Sequence, residues 1–338
     1  MEGSKLLSII IPCRNGEQWI PLVVDSILHS DLKKEEYEVI LVDDASEDGT
    51  LAAMKNAASQ NSNIQVIHLE KCLCLGGGRN KGLEAAKGEY VWFVDADDLI
   101  AEQGCDEALH KAIQEELDVL GCEYSVVDNN GDFVKINKSF VDYHTKSGED
   151  FAHRSFNGKM IQQMGFVWRF IYRRMYLKQH HITFSEGVRW EDTVFMPQAI
   201  IEAKIVGAVP SILYKYRQNP NSISGTMHRV YPARMIYEYA FIAGKELLDY
   251  SQTIKDDQLK DDLYATAINK YINGSLLYLL RTSYHERKVF YRLIRENKEY
   301  MRGVTRYYDA KNKFLLSSCL GQLSVDILSM GYKLRHRK

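Results

Sequence analysis

Four short runs of strand-forming residues, "LLSIII" (6–11), "YEVILV" (37–42), "IQVIHL" (64–69) and "YVWFVD" (90–95), alternate with helical patterns over the first third of the chain. Each run is apolar almost throughout, which marks a strand covered on both faces, as in a parallel sheet. Between the first two, Trp19, Ile20, Val23, Val24, Ile27 and Leu28 recur at helical spacing, and Pro21 stands where a first turn tolerates it. Between the second and third, Leu51, Met54 and Ala58 share one helical face. The order β-α-β-α-β-α-β with right-handed crossovers predicts an α/β fold built on an open sheet.

Beyond this point "EALHKAIQEELDVLGCEYSVV" (107–127) predicts another helix and strand, and "DNNGDF" (128–133) a turn. From 166 to 217 the pattern is irregular and rich in aromatic residues and Arg; from Tyr231 onward it is almost wholly helical. The polar, turn-forming stretch "QNPNSISGTMH" (218–228) divides the chain into two expected domains, 1–226 and 227–338. With 338 residues, 45% hydrophobic, 26% charged and a net charge of −2, the chain has material for two cores and no basic excess to suit nucleic acid. The apolar run in "MEGSKLLSIIIPC" is too short for a signal sequence and meets Pro12 at once, so a cytoplasmic protein is expected. Six scattered cysteines fit reduced thiols, and Cys72-x-Cys74 reads as two small residues lining a loop, with no second ligand pair for zinc. Near the C-terminus Leu316, Leu320, Leu323, Ile327, Met330 and Leu334 form an apolar stripe ending in "KLRHRK". Gln322 and Asp326 argue against a membrane span, which leaves packing on other helices or peripheral contact with anionic lipid at the inner face of a membrane.

In open α/β sheets ligands lie beyond the carboxyl ends of the strands, and acidic clusters fall there: Asp43 and Asp44 after the second run, Asp95, Asp97 and Asp98 after the fourth. Carboxylates so close together repel one another and resist desolvation unless a cation compensates. A hard divalent ion, Mg²⁺ or Mn²⁺, shared between Asp95-x-Asp97 and substrate phosphates accounts for that pair, while Asp98 reads as a helix cap. "PCRNGE" sets Arg14, Asn15 and Glu17 where a base or ribose can be read by hydrogen bonds. "CLGGGRNKGLEAAKGEY" predicts a flexible loop and then Arg79, Asn80 and Lys81 at a helix start, a setting for an anion; its glycines miss the dinucleotide-binding spacing. In "RWEDTVF", Glu191 and Asp192 precede a helical pattern and are candidates for a general base, a cap on that helix being the lesser alternative for Asp192.

In order along roughly the first 217 residues, "SIIIPCRNGEQWI", "VILVDDASEDGT", "GGGRNKGLEAAKGEYVWFVDADD" and "GVRWEDTVF" resemble the successive motifs of the family-2 glycosyltransferases. The resemblance implies the GT-A fold, a Rossmann-like open mixed sheet with helices on both faces; the C-terminal all-helical region lies outside it. It further implies that Pro12, Asn15 and Glu17 shape a nucleotide pocket, that Asp44 pairs with uracil, that Arg79 lies near the base and Asp95 near the ribose. Asp97 would hold Mg²⁺ or Mn²⁺ against the diphosphate, and Asp192 would be the base, with Glu191 positioning it or the acceptor hydroxyls. The chain departs from the family at Arg14, where members often carry an aromatic residue, and at Cys74, where they often carry glycine.

Further residues fit the same cleft. Lys215, Arg217 and Ser222 in "LYKYRQNPNSIS" are placed to reach a diphosphate, and His228 to join the metal. Trp168 and Trp190 suit either a sugar face or the core. The expected activity is inverting transfer from a UDP-sugar to a hydroxyl of a saccharide or lipid-linked saccharide in surface polysaccharide biosynthesis. The alternatives are a sugar-nucleotide nucleotidyltransferase and a catalytically inactive nucleotide- or glycan-binding module.

Overall fold

The computed structural model describes residues 5–138, 140, 144–156, 166–219, 222 and 233–267. The chain divides into two compact units, Met1–Thr226 and Met227–Lys338.

In the first unit the four apolar runs form strands β1 (Leu7–Cys13), β2 (Tyr37–Asp43), β3 (Ile64–His68) and β4 (Tyr90–Phe93), joined by helices α1 (Ile20–Leu28), α2 (Thr50–Gln60) and α3 (Cys74–Ala85). Their pairing is parallel, in the order β3-β2-β1-β4, with Leu7 opposite both Tyr37 and Tyr90. Every residue of β1, β2 and β4 is buried, as two-sided cover requires. Helix α1 packs through Ile20, Val23, Val24 and Ile27, with proline in its first turn.

The irregular region completes the sheet. After β5 (Leu99–Ile100) come α4 (Cys105–Gln114), β6 (Val119–Val127), β7 (Phe133–Asn137), α5 (Gly148–Phe156), β8 (Phe170–Arg173), α6 (Arg174–Gln179), α7 (Asp192–Ile201) and β9 (Val206–Arg217). The full order is β3-β2-β1-β4-β8-β6-β9-β5, with β7 on β6. Strand β8 runs antiparallel to both β4 and β6, and β5 antiparallel to β9, so the sheet is mixed. Strand β8 has no periodic signature, because its first three residues, Phe170–Tyr172, are buried directly after a 3₁₀ turn, Val167–Arg169, that is buried as well.

Aromatic rings fill the junction between β4 and the antiparallel strands. Trp168 is 3% exposed and stacks on Tyr214 at 4.2 Å, and its carbonyl accepts from the Trp92 indole N–H at 2.7 Å. Trp168 is therefore core, not a sugar platform. Asp98 does not cap α4 either. The Asp31 carboxylate does so from a distance, accepting from the N–H groups of Gly104, Cys105 and Asp106.

In the second unit, α8 (Ala233–Ser251) and α9 (Asp257–Thr266) pair, and Asp256 caps α9 by accepting from the Leu259 N–H at 2.8 Å. The apolar stripe from Leu316 and the proposed metal ligand His228 lie outside the described residues. No helix among the described residues is long and apolar enough to cross a membrane.

At the start of β4 the chain passes very close to β1. The buried Glu38 carboxylate accepts from the Ser8 hydroxyl at 2.6 Å and the Lys87 N–H at 2.7 Å, and the Ser8 Oγ in turn accepts from the Gly88 N–H at 2.8 Å. A Cβ on Gly88 would stand 2.5 Å from the Ser8 backbone nitrogen, which a central strand cannot yield. Gly88→Ala is expected to destabilise the fold by about 1–3 kcal/mol in a thermal melt; an unchanged midpoint would show slack in this crossing.

Candidate active site

The carboxyl ends of β1 and β2 are laced together by short polar side chains. At the end of β1, Asn15 takes φ 53° and its Oδ1 accepts from the Glu47 N–H at 2.8 Å, while its own N–H donates to the Ser46 hydroxyl at 3.0 Å. Glu17 accepts from the Gly49 N–H at 2.7 Å, and the Arg14 guanidinium meets Glu47 at 3.1 Å. Pro12 fits because carbonyls alternate along β1. Ile10 bonds towards β4 and Cys13 towards β2, so the absent N–H of Pro12 faces the β4 side, beyond the last pair there, Ile10–Phe93. Asp43 turns into the sheet end to bond His68 at 2.7 Å, leaving Asp44 on the cleft side. The Asp44 carboxylate accepts from the Leu73 N–H at 2.6 Å and the Cys72 thiol at 3.1 Å, tying β2 to the entry of α3.

That entry is not the flexible loop the glycines predict. Helix α3 begins at Cys74, whose φ of 61° is the left-handed conformation glycine adopts without strain, so Gly76, Gly77 and Gly78 all lie inside the helix. Close approach explains them. A Cβ on Gly76 would stand 2.3 Å from the Ser185 carbonyl, and one on Gly78 would stand 2.9 Å from Pro12 Cβ. The glycine face lets α3 slide between β1 and the 184–191 loop. Asn80 then pins that loop, donating to the Phe184 carbonyl at 2.9 Å and Glu186 at 3.0 Å, and accepting from the Phe184 N–H.

Arg79, one turn further into α3 and 4% exposed, reaches two acids from distant parts of the chain. One guanidinium nitrogen donates to Asp95 at 2.9 Å and the other to Glu191 at 2.6 Å. Burial alone opposes its charge, but Asp95, Glu191 and Asp192 outweigh burial and raise its pKa, so it stays protonated. Glu191 is the residue preceding α7, and Asp192 is its first residue, where the helix N-terminus favours a carboxylate.

The remaining acids are held by β9 and by Asn219 just beyond its end. Tyr214, fully buried, donates its hydroxyl to Asp98 at 2.6 Å and accepts from the Asp95 N–H at 3.1 Å; Asp98 also accepts from the Arg217 N–H at 2.7 Å. Burial first, then Asp97 and Asp95, hold the Asp98 carboxyl well above its ordinary range. Asp98 is thus a strut beneath the acidic turn. Asp97 accepts from the Asn219 side-chain amide at 3.0 Å, and its pKa too is raised, chiefly by burial and further by Asp95. A carboxylate whose ionised form burial disfavours suits a site completed by a cation, and Asp97 beside Asp95 is an oxygen donor set fit for Mg²⁺ or Mn²⁺. Arg217, 3% exposed, donates to the Asp97 carbonyl at 2.8 Å and to the Asn129 carbonyl at 2.8 Å, and lies over the Trp19 ring. Lys215 meets Glu102, and the Ser222 N–H donates to the Asn219 carbonyl. A separate cleft of about 620 Å³, lined by Leu22, Asp25, Leu99 and Glu102 among others, includes Lys215 and Arg217 but none of Asp44, Asp95, Asp97, Glu191 and Asp192.

The structure thus brings Pro12, Arg14, Asn15, Glu17 and Asp44 to one rim and links Arg79, Asp95 and Glu191 directly. It sets Arg217 under the acidic turn. Tyr214, Asn219, Asn80 and Cys72 have structural parts that sequence patterns do not mark, since each acts on a partner remote in the chain.

The profile of glycosyl transferase family 2 matches residues 8–180, more than half of the chain. The "Uncharacterized glycosyltransferase EpsJ" of Bacillus subtilis (strain 168) is 32% identical over 223 residues, 65% of this chain and 63% of the relative, so the chain spans less than two thirds of that protein's length. "Glycosyltransferase GlyG" of Streptococcus pneumoniae is 28% identical over 76% of this chain and 92% of its own length. Among solved structures, S. aureus TarS 1–349 in complex with UDP-GlcNAc shares the fold at a TM-score of 0.69 and 23% identity, over 98% of this chain and 93% of TarS 1–349. The mixed sheet with its flanking helices is accordingly of the GT-A type, and the chain belongs to glycosyl transferase family 2.

Proposed function

We propose that the chain is an inverting glycosyltransferase that moves a sugar from a UDP-sugar to a hydroxyl of a saccharide or lipid-linked saccharide, in surface polysaccharide assembly. The observation that carries this reading is Arg79 bonded at once to Asp95 and Glu191, because it joins the acidic turn after β4 to the start of α7. The same fold in TarS, solved with UDP-GlcNAc, supports a UDP-sugar as donor. The unit Met1–Thr226 would be catalytic, and Met227–Lys338 a separate helical domain.

In this reading the nucleoside lies over the laced ends of β1 and β2, with Asp44 reading the base through its carboxylate and with Pro12, Arg14, Asn15 and Glu17 forming the rim. Asp95 accepts from the ribose. Asp97 would hold Mg²⁺ or Mn²⁺, which as a Lewis acid stabilises the departing diphosphate. Arg217 and Asn219 fix the turn that presents Asp97. On the opposite side of the anomeric carbon, Asp192 takes the proton of the acceptor hydroxyl as its oxygen attacks. Displacement from that face inverts the anomeric centre. Glu191, held by Arg79, fixes the start of α7 and hence the base.

A screen of UDP-sugars for slow Mn²⁺-dependent hydrolysis identifies the donor; release of UDP from none of them would contradict this reading. Asp192→Asn is expected to leave UDP affinity close to that of the unaltered chain while turnover falls about 10²–10⁴-fold, and undiminished turnover would assign the base elsewhere. In calorimetry, Asp97→Asn is expected to remove at least about tenfold of the UDP affinity that Mn²⁺ confers; an equal response to Mn²⁺ in both proteins would exclude Asp97 as a ligand.

A further inference from the structure

At the amino ends of the strands, on the rim of the sheet away from Asp44, three side chains converge that no step of the proposed transfer uses. Glu36 immediately precedes β2, and Asp106 and His110 stand one turn apart on α4. The seven residues of β2, a length of about 23 Å, separate Glu36 from the acids at the carboxyl ends. Each of the three offers one donor atom, and these atoms all lie within 4.8 Å of one another. Two carboxylate oxygens in the cluster, Glu36 Oε2 and Asp106 Oδ1, are sealed from solvent and accept no hydrogen bond. Buried oxygens seldom go without one, so this pair points to a cation.

His110 is already turned for it. Its Nδ1 lies 2.9 Å from the Asp106 carbonyl, and because a carbonyl only accepts, Nδ1 carries the hydrogen. The neutral ring then keeps its lone pair on Nε2, which is 4.0 Å from Glu36 Oε2. The backbone is equally fixed: the Glu36 carbonyl accepts from the Leu6 and Leu7 N–H groups, and its N–H donates to the Lys33 carbonyl. Asp31 takes no part, since its oxygens accept from the N–H groups of Gly104, Cys105 and Asp106. Lys33 is the cation now in place, 3.4 Å from Glu36 Oε1 and 3.6 Å from Asp106 Oδ1, but it is half-exposed on a flexible stem and leaves Glu36 Oε2 unmet.

We propose that Glu36, Asp106 and His110 bind one Zn²⁺, with water in the fourth position, and so tie α4 to the start of β2. Imidazole with carboxylates suits zinc, whereas Mg²⁺ prefers oxygen alone and Mn²⁺ stands lowest in the first-row order of affinity. Ligands about 2.0–2.2 Å from zinc stand about 3.3–3.6 Å apart in a tetrahedron, so the three side chains close by about an ångström and Lys33 swings into solvent.

The proposal does not depend on the transfer reading, and Asp97→Asn serves as parent so that the carboxylate expected to hold the other metal is absent. The full chain, stripped with a chelator, is titrated with Zn²⁺ in calorimetry, and the metal is located in crystals by zinc anomalous scattering. One zinc per chain is expected between the three side chains, not displaced by about a hundredfold excess of Mg²⁺. His110→Ala and Glu36→Gln are each expected to weaken zinc binding at least about tenfold, with circular dichroism in chelator matching the parent, so that lost fold is not the cause. Lys33→Met, which removes the competing ammonium, is expected to bind zinc equally or up to about fivefold more tightly. No zinc peak at these side chains, equal binding by the parent and His110→Ala, or weaker binding by Lys33→Met overturns the proposal.

Discussion

The site depends on one buried cation. Arg79 stands on a helix that must press against β1 to bring its guanidinium within 2.6 Å of Glu191 and 2.9 Å of Asp95. Burying a guanidinium is costly, and removing one partner of such a group leaves the others uncompensated by about 3–5 kcal/mol. The arrangement therefore holds as a unit. It couples the turn after β4, which carries Asp97, to the first turn of α7, which carries Asp192, across about a hundred residues of chain. Glycines 76 and 78 are what permit it, because a methyl group at either would push α3 off the 184–191 loop or off Pro12.

Around this bridge the other polar groups work as spacers. Asp98 is sealed against Tyr214 and the Arg217 N–H, so the acidic turn is stretched over a fixed base and Asp97 is presented at its crest. Arg217 spends its donors on two carbonyls beneath the turn and supports the acids without occupying the space above them. On the other rim, Asp44 is preorganised by Leu73 and Cys72. Rigid carboxylates on both sides of a cleft suit transfer chemistry, in which stabilisation comes from groups already in place when charge develops.

Much of this was legible in the sequence, and the reasons differ by element. The parallel half of the sheet could be read because β1, β2 and β4 are buried on both faces and show it as unbroken apolar runs. The acids could be read because three carboxylates in four residues at a strand end require explanation. Strand β8 and the two-residue β5 could not, since neither is long enough to show a period. The triple glycine misled, because glycine marks either a flexible turn or a close approach, and only the Ser185 carbonyl 2.3 Å from a notional Gly76 Cβ tells which. Asp98 misled, and Trp168 reads equally as platform or core, for a related reason. A cap and a strut use the same carboxylate, a sugar platform and a core ring the same indole, and the partners that decide, Tyr214 for both, lie more than forty residues away.

The most direct test is a crystal of the full chain grown with UDP and Mn²⁺, read by anomalous scattering from manganese. The account requires a manganese peak in contact with Asp97, with the diphosphate between the Asp95–Asp97 turn and the start of α7 and the uracil against Asp44. Nucleotide bound instead in the cleft lined by Leu22, Glu102 and Lys215, or manganese away from Asp97, would contradict it.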